Sequence, residues 1–432
     1  MKREKIAIIG SGISGISSSL FLSKKYEVHL FEKNDYLGGH TRTKTLEEKN
    51  ILYDIDTGFI VYNENNYPDL VKLFEYLNID THNSNMSFSI SIKDPEFEYG
   101  SKNFNSLFAQ KKHLFSVHFL LLLKEIIKLY NHCKKISLLK NLDEYTVEDF
   151  LVKFNYSKKI KDLHIYPMIS SIWSCDRGDV QKFPLISFIN FFNNHRLFNF
   201  INRQQWKFVK GGSHKYIQAI VSKNLFNYEI NKCVKKVIRN INNITIIFND
   251  GKKFVADKII LATHADQALK VLDKPSQNEI KILSKFQYSR NHAYLHSDET
   301  LMPKLKTTWS SWNFQGKSNK DRSFSLTYWM NLLQNLQSQK NFFLSINPLE
   351  IPNHCHDKTV FEHPIFSLET LSAQKKINNI QGNANTWFCG SYCGYGFHED
   401  GIQSAVYVAG LLGVKIPWNR SSNFYNRLQF ID

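Results

Sequence analysis

Six residues near the N-terminus, Gly10-Ser11-Gly12-Ile13-Ser14-Gly15, have the composition needed to hold a diphosphate against the backbone. Gly10 permits a tight turn, Gly12 lets the chain approach a pyrophosphate, and Gly15 allows a helix to pack closely on a strand. Free N–H groups and the macrodipole at the start of that helix favour negative charge. Ser11 and Ser14 belong to the same loop and are counted among the cofactor contacts. Glu32 follows Gly15 by 17 residues, with Lys33 beside it. A carboxylate there accepts hydrogen bonds from ribose hydroxyls and disfavours a 2′-phosphate, so a dinucleotide other than NADP is expected.

A second glycine pair lies in Gly38-Gly39-His40-Thr41-Arg42-Thr43. An NAD site has no obvious need for it, whereas in many flavoproteins such a pair wraps the same pyrophosphate from its other side. It tips the expectation to FAD; an ordinary tight turn is the alternative. Two further groups follow. One is Asp54-Ile55-Asp56-Thr57-Gly58-Phe59. The other runs from Phe388-Cys389-Gly390-Ser391-Tyr392 through Gly394-Tyr395-Gly396-Phe397-His398-Glu399-Asp400 to Gly401-Ile402. Gly401 to Ala405 opens the last helix, whose N–H groups would face the pyrimidine edge of a flavin, where negative charge develops on reduction.

A flavin accepts a hydride itself, so the protein's part is orientation, a dry pocket and tuning. The candidate polar residues are Tyr328, Asn331, His296, Tyr392, Tyr395, His398 and Glu399, with His398 or Glu399 as proton acceptor. Each can also serve as a supporting hydrogen bond or a cap. Trp173, Trp206, Trp309, Trp312 and Trp329 suit an apolar pocket or a core.

The elements that must position these groups are legible. Ile6–Ile9 reads as a buried strand, Ile13 to Lys24 as a helix and Val28–Glu32 as a second strand, a βαβ unit of about 30 residues. A helix is expected over 67–78, with Leu70, Leu73, Phe74 and Leu77 on one face. Strands are expected at 86–92, 245–248 and 254–262, with the hairpin turn Asn249-Asp250-Gly251-Lys252 between the last two. Residues 104–200 read as mostly helical. Strand patches follow near 291–296 and 323–330, and 387–410 reads as strand, glycine-rich loop and helix.

Together GSGISG, Glu32, GGHTRT, DTGF and FCGSY…HEDGIQSA resemble the flavin-dependent amine oxidase superfamily, which includes monoamine oxidases, protoporphyrinogen oxidase and carotenoid desaturases. A narrower likeness is to bacterial predicted NAD/FAD-binding amine-oxidase-like proteins. It is carried by DTGFIVYN (56–63), MSFSIS (86–91), SSIWS (170–174), TYWMN (327–331), EHP (362–364) and GYGFHEDG (394–401). The resemblance implies an α/β fold: a Rossmann-like FAD-binding domain with a parallel sheet, interwoven with an α+β substrate domain. The FAD domain would comprise 1–75, 205–268 and 370–432, and the substrate domain 76–204 and 269–369. By position it also implies Thr41, Val234, Gly390, Gly401 and Ile402 as FAD contacts, Val234 through its backbone to the adenine. Amine oxidases of this superfamily often place a lysine near the reactive edge of the flavin, yet Tyr288 to His296 contains none. That departure weighs against amine oxidation.

Composition bounds the rest. The chain has 432 residues, 42% hydrophobic and 22% charged, as a two-domain globular enzyme would. Its net charge of +16 comes with no basic block of nucleic-acid type, so no nucleic acid is expected. Six scattered cysteines argue against a disulfide framework, and no metal site is expected, even at Cys355 between His354 and His356. No apolar run reaches the length of a membrane span. The expected enzyme is cytoplasmic and moves a hydride from a hydrophobic, lipid-like substrate, such as a modified or unsaturated fatty acyl chain, to FAD. An amphipathic stretch near 114–130, flanked by Lys111, Lys112, Lys134 and Lys135, suits either a peripheral membrane contact or an ordinary buried helix. Amine or polyamine oxidation and a non-catalytic binding protein are the alternatives. The oligomeric state is left open.

Overall fold

Lys5–Ile9 is an apolar, branched segment, and it becomes the middle strand of a parallel sheet buried on both faces. Gly10, at φ +96°, turns the chain into the helix Ile13–Leu22. All ten residues of that helix are buried, which its serines and glycine make possible. A Cβ on Gly15 would come within 1.8 Å of the Gly10 carbonyl oxygen, so only glycine lets helix and strand meet this closely. The computed structural model describes residues 3–136, 142–318, 324–420 and 424–430.

The parallel sheet has the strand order Thr386–Phe388, Lys258–Leu261, Lys5–Ile9, Glu27–Phe31, Asn227–Glu229. Ile9 pairs with Leu261 on one side and Phe31 on the other, and Leu261 pairs with Phe388. The register therefore brings Gly10, Glu32, Ala262 and Cys389 to one edge, where four strands end together. A doubly wound sheet binds its ligand at that carboxyl edge. The helix His398–Leu411 packs against Ile13–Leu22.

The expected strand over 254–262 is in fact two. Lys253–Ala256 closes a three-stranded antiparallel sheet with Val234–Arg239 and Ile244–Phe248, and Lys258–Leu261 joins the parallel sheet. Asp257 makes the break: its carboxylate accepts from the Lys5 amide at 2.7 Å and its own amide donates to the Lys5 carbonyl at 2.9 Å. An apolar run that passes between sheets carries no sign of the crossing in its hydrophobicity.

A seven-stranded sheet forms the second body of the molecule. Its order is Cys355–Ile365, Gln287–His296, Phe343–Ile346, Ser325–Trp329, Trp312–Ser318, Phe88–Asp94, Phe97–Gly100. It is antiparallel except where Trp312–Ser318 runs parallel to Phe88–Asp94. Of the strand expected at 323–330, Ser323 lies outside the described residues. Helices between 104 and 194 cover this body and share its largest core, with Phe119, Leu129, Phe188 and Phe192 among the buried side chains. Near the C-terminus, the Arg427 guanidinium is 1% exposed and pairs with buried Asp400 at 2.8 Å.

Candidate active site

One cavity of about 1090 Å³ runs from the carboxyl edge of the parallel sheet to the helix-covered sheet. Its floor is the turn into helix Ile13–Leu22. That helix has Gly12 as its N-cap, no side-chain cap and no acidic residue in its first turn. Nothing lies within 4 Å of where a Gly12 side chain would begin. Uncapped helix N–H groups facing open space form an anion site.

The second glycine pair abuts the first: a Cβ on Gly39 would lie 3.0 Å from Gly12 Cα. Ser11 ties the two loops to the acid. Its amide and Oγ donate to Glu32 Oε2 at 2.9 and 2.7 Å, and the Gly38 amide donates to Ser11 Oγ at 3.1 Å. The Asn34 amide holds the other carboxylate oxygen at 2.9 Å. Glu32 is thus fixed at the end of its strand, on the cavity wall. These residues fit a dinucleotide such as FAD: a cradle only glycines leave open, an uncapped helix start and a positioned carboxylate.

Of the cofactor candidates, Gly10, Ser11, Gly12, Ser14, Glu32, Lys33, Gly38, Gly39, His40, Gly58, Val234 and Gly390 all line the cavity. Gly15, Thr41, Gly401 and Ile402 stand behind the wall. A Cβ on Gly401 would meet Ile13 and Ser14, so this glycine sets the spacing of two helices, and Ile402 is wholly buried. Thr41 Oγ1 lies 2.9 Å from His398 Nε2 and 2.5 Å from the Tyr216 hydroxyl.

The candidate catalytic residues divide. Tyr328 and His398 line the cavity; Asn331, Tyr395 and Glu399 do not. Asn331 pins a loop, donating to the Lys340 carbonyl at 2.8 Å and accepting from the Phe342 amide at 2.7 Å. The Tyr395 hydroxyl meets that of Tyr425 at 3.4 Å. The Glu399 carboxylate caps the helix Pro68–Leu77, accepting from the amides of Asp69 and Leu70 at 3.0 Å each. Burial and the neighbouring Asp69 push that carboxyl upward. His398 stacks on Phe59 at 3.7 Å, and burial pushes it down to about 3. Burial thus favours its neutral form. His296 is buried outside the cavity against Ser345, and Tyr392 lines it with a buried hydroxyl that has no partner among the described residues.

The far lobe is aromatic. Trp173, Trp206 and Trp312 line it, while Trp309 and Trp329 pack together with Phe343 in a separate small core. Trp312 and Tyr328 are register partners on adjacent strands, with rings edge-on at 4.9 Å. The Trp312 indole N–H is buried and has no acceptor among the described residues. Two features were not anticipated. His164 sits between the hydroxyls of Tyr99 and Tyr130, at 2.9 and 2.7 Å, and burial pushes it down to about 3. Where the two bodies meet, His40 lies 5.4 Å from His363, and burial pushes both down, His363 to about 4. His40 stood among the cofactor candidates and His363 in the EHP triplet, but nothing in the sequence paired them. Among the described residues, Glu32 and Glu362 are the only carboxylate side chains on the cavity wall, and its lysines are Lys33, Lys232, Lys235 and Lys270. Among the described residues no cluster suits a metal ion, all six cysteines are free, and no helix is long and apolar enough to cross a membrane.

Comparison with known proteins agrees with this geometry. Residues 8–77 match the NAD(P)-binding Rossmann-like domain family. A stretch of 55 residues is 56% identical to 4,4'-diapolycopen-4-al dehydrogenase of Metabacillus indicus, covering 12% of this chain and 10% of that protein. The match therefore spans about a tenth of the curated relative's length. Among solved structures, putrescine oxidase bound to putrescine superposes with a TM-score of 0.67 at 13% identity, over 95% of this chain and 99% of that one. A fatty acid isomerase from P. acnes that produces CLA superposes with a TM-score of 0.64 at 12% identity, over 95% and 99%. Over 95% of its length the chain has the fold seen in putrescine oxidase, built on an N-terminal Rossmann-like segment.

Proposed function

We propose that the protein is an FAD-dependent oxidoreductase that takes a hydride from an apolar, lipid-like substrate such as an unsaturated or modified acyl chain. The observation that carries this reading is a cavity that joins a diphosphate cradle to a wall of aromatic side chains, Trp173, Trp206, Trp312 and Tyr328 among them. FAD, when bound, supplies the hydride acceptor. The chain's residues supply the rest. Gly10, Gly12 and Gly39 bring backbone to the diphosphate, Glu32 holds ribose hydroxyls, and Val234 meets the adenine. Trp173, Trp312 and Tyr328 clasp the substrate and exclude water. Neutral His398 fixes Phe59 beneath the site. Segments 1–75, 205–268 and 370–432 hold the cofactor, and 76–204 with 269–369 hold the substrate.

Two similarities support an apolar substrate: one relative is a diapolycopenal dehydrogenase and one structural neighbour is a fatty acid isomerase. The putrescine oxidase fold favours a second reading, amine oxidation. A cationic amine would be expected to need a free carboxylate beside it; of the two on the described wall, Glu32 is held by Ser11 and Asn34, and Glu362 lies against His264 and Gln267.

The test begins with the visible absorbance spectrum of the purified protein before and after denaturation. A flavin spectrum released as FAD is expected, followed by anaerobic bleaching with acyl or polyene substrates and none with amines. Bleaching by amines alone would transfer the proposal to the second reading. A colourless protein that takes up no added FAD would leave only a binding role.

A further inference from the structure

We infer that the surface around the start of helix Val117–Ile136 docks on an anionic lipid bilayer, bringing one end of the cavity to the acyl layer. The docking follows from the surface itself; the delivery of substrate rests on the apolar-substrate reading above.

The helix has two unlike faces. Phe119, Leu122, Ile126 and Leu129 are buried. On the opposite face Val117, Leu120 and Leu121 are exposed, and three- and four-residue spacing brings Lys124 and Lys128 onto the same side. Just before it, the short turn Lys111–Phe115 ends in Phe115, 89% exposed. Large side chains this open mark a surface that something covers.

Charge identifies what covers it. Residues 100–136 contain seven lysines and one glutamate, a net +6 of the chain's +16. The glutamate, Glu125, is already engaged by the amide and hydroxyl of Ser157. Exposed aromatic and aliphatic tips among lysines are the pattern of a helix lying in the headgroup layer, where its apolar tips reach acyl chains and its ammonium groups meet anionic phosphates. The apolar face of an acidic protein would need matching grooves; a bilayer needs none.

The patch also meets the cavity. Tyr99 lines its wall and sets its ring 5.9 Å from that of Phe119, in the first turn of the helix. An acyl chain leaving the bilayer beside the helix start would therefore enter past Tyr99.

The test is cosedimentation of the FAD-loaded full chain with vesicles of phosphatidylglycerol and phosphatidylcholine, against phosphatidylcholine alone. Binding to the anionic vesicles, weakened by salt, is expected. The double variant Phe115→Ser/Val117→Ser should lose about tenfold in binding with its flavin spectrum and melting temperature unchanged. Lys111→Glu/Lys112→Glu should lose the preference for anionic lipid. A wild-type protein that stays in the supernatant at low salt overturns the inference, as does undiminished binding by both variants. So does a dimer broken by Phe115→Ser/Val117→Ser without vesicle binding, since a second copy would then cover the face. Flavin reduction by detergent-dispersed acyl substrate is measured separately. Its failure alongside normal docking would count against the proposed function alone.

Discussion

Gly12 separates the needs of the fold from those of the cofactor. Its α-carbon faces open cavity, and its φ of −58° suits any residue. Gly12→Asp should therefore fold with unchanged circular dichroism and melting temperature. Its carboxylate would stand where a diphosphate belongs, and FAD affinity, read by titration of the apoprotein, should fall by at least about tenfold, or 1.4 kcal/mol. Normal affinity would remove the diphosphate from this helix start. Asp56 offers a test in pH. It is fully buried and takes hydrogen bonds from Thr43, Ser213 and Gln334, yet burial pushes it up from 3.8 to about 7. The folded state thus holds this proton more tightly than the unfolded chain. Its contribution to stability is full below about pH 4 and lost as pH rises through about 7. Melting curves between about pH 5 and pH 8 should show wild type losing ground to Asp56→Asn as pH rises; a constant difference would contradict the assignment. At this scale the glycines and Glu32 were legible because backbone approach and charge need particular residue types. The partners of Glu399 were not. Neighbours on a helix point about 100° apart, so His398 can line the cavity while Glu399 turns away to cap another helix.

Elements far apart in sequence are joined by one buried ion pair. Arg427 donates to Asp400 from Nε and Nη2, at 2.8 and 3.1 Å, and to the Asn66 carbonyl at 3.1 Å. It ties the C-terminal segment to the start of helix His398–Leu411 and to the loop before Pro68–Leu77. Arg427→Met leaves buried Asp400 without its cation, to be ionised alone or protonated, and should cost about 3–5 kcal/mol in urea unfolding, whereas Arg427→Met with Asp400→Asn should recover part of it. Equal loss in both variants would mean that packing, not charge, carries the effect. No motif announced Arg427: a lone arginine 27 residues after its partner has no local signature. The βαβ unit, by contrast, was legible to within a residue or two, since each of its elements buries its own apolar pattern. The double strand at 253–261 was read as one for the opposite reason, since both halves are apolar and only their partners differ.

Across the whole molecule, the cofactor groove is assembled from the N-terminal loops, the segment around Val234 and Gly390 near the C-terminus. FAD bound there should stabilise all of them at once. At a hundredfold excess over Kd the gain should be about 2.7 kcal/mol, seen as a single melting transition moved upward. Two transitions, of which FAD moves only one, would show that the cofactor-binding body unfolds independently of the seven-stranded sheet. The strand order also governs how the protein is made. Lys5–Ile9 leaves the ribosome early, but its neighbour Lys258–Leu261 is more than 240 residues behind, and Thr386–Phe388 arrives later still. At about 5–20 residues per second, the nascent βαβ unit waits for roughly tens of seconds with an apolar edge unpaired. Over that interval it is a client for chaperones, and FAD can be captured stably only once Thr386–Phe388 has been made.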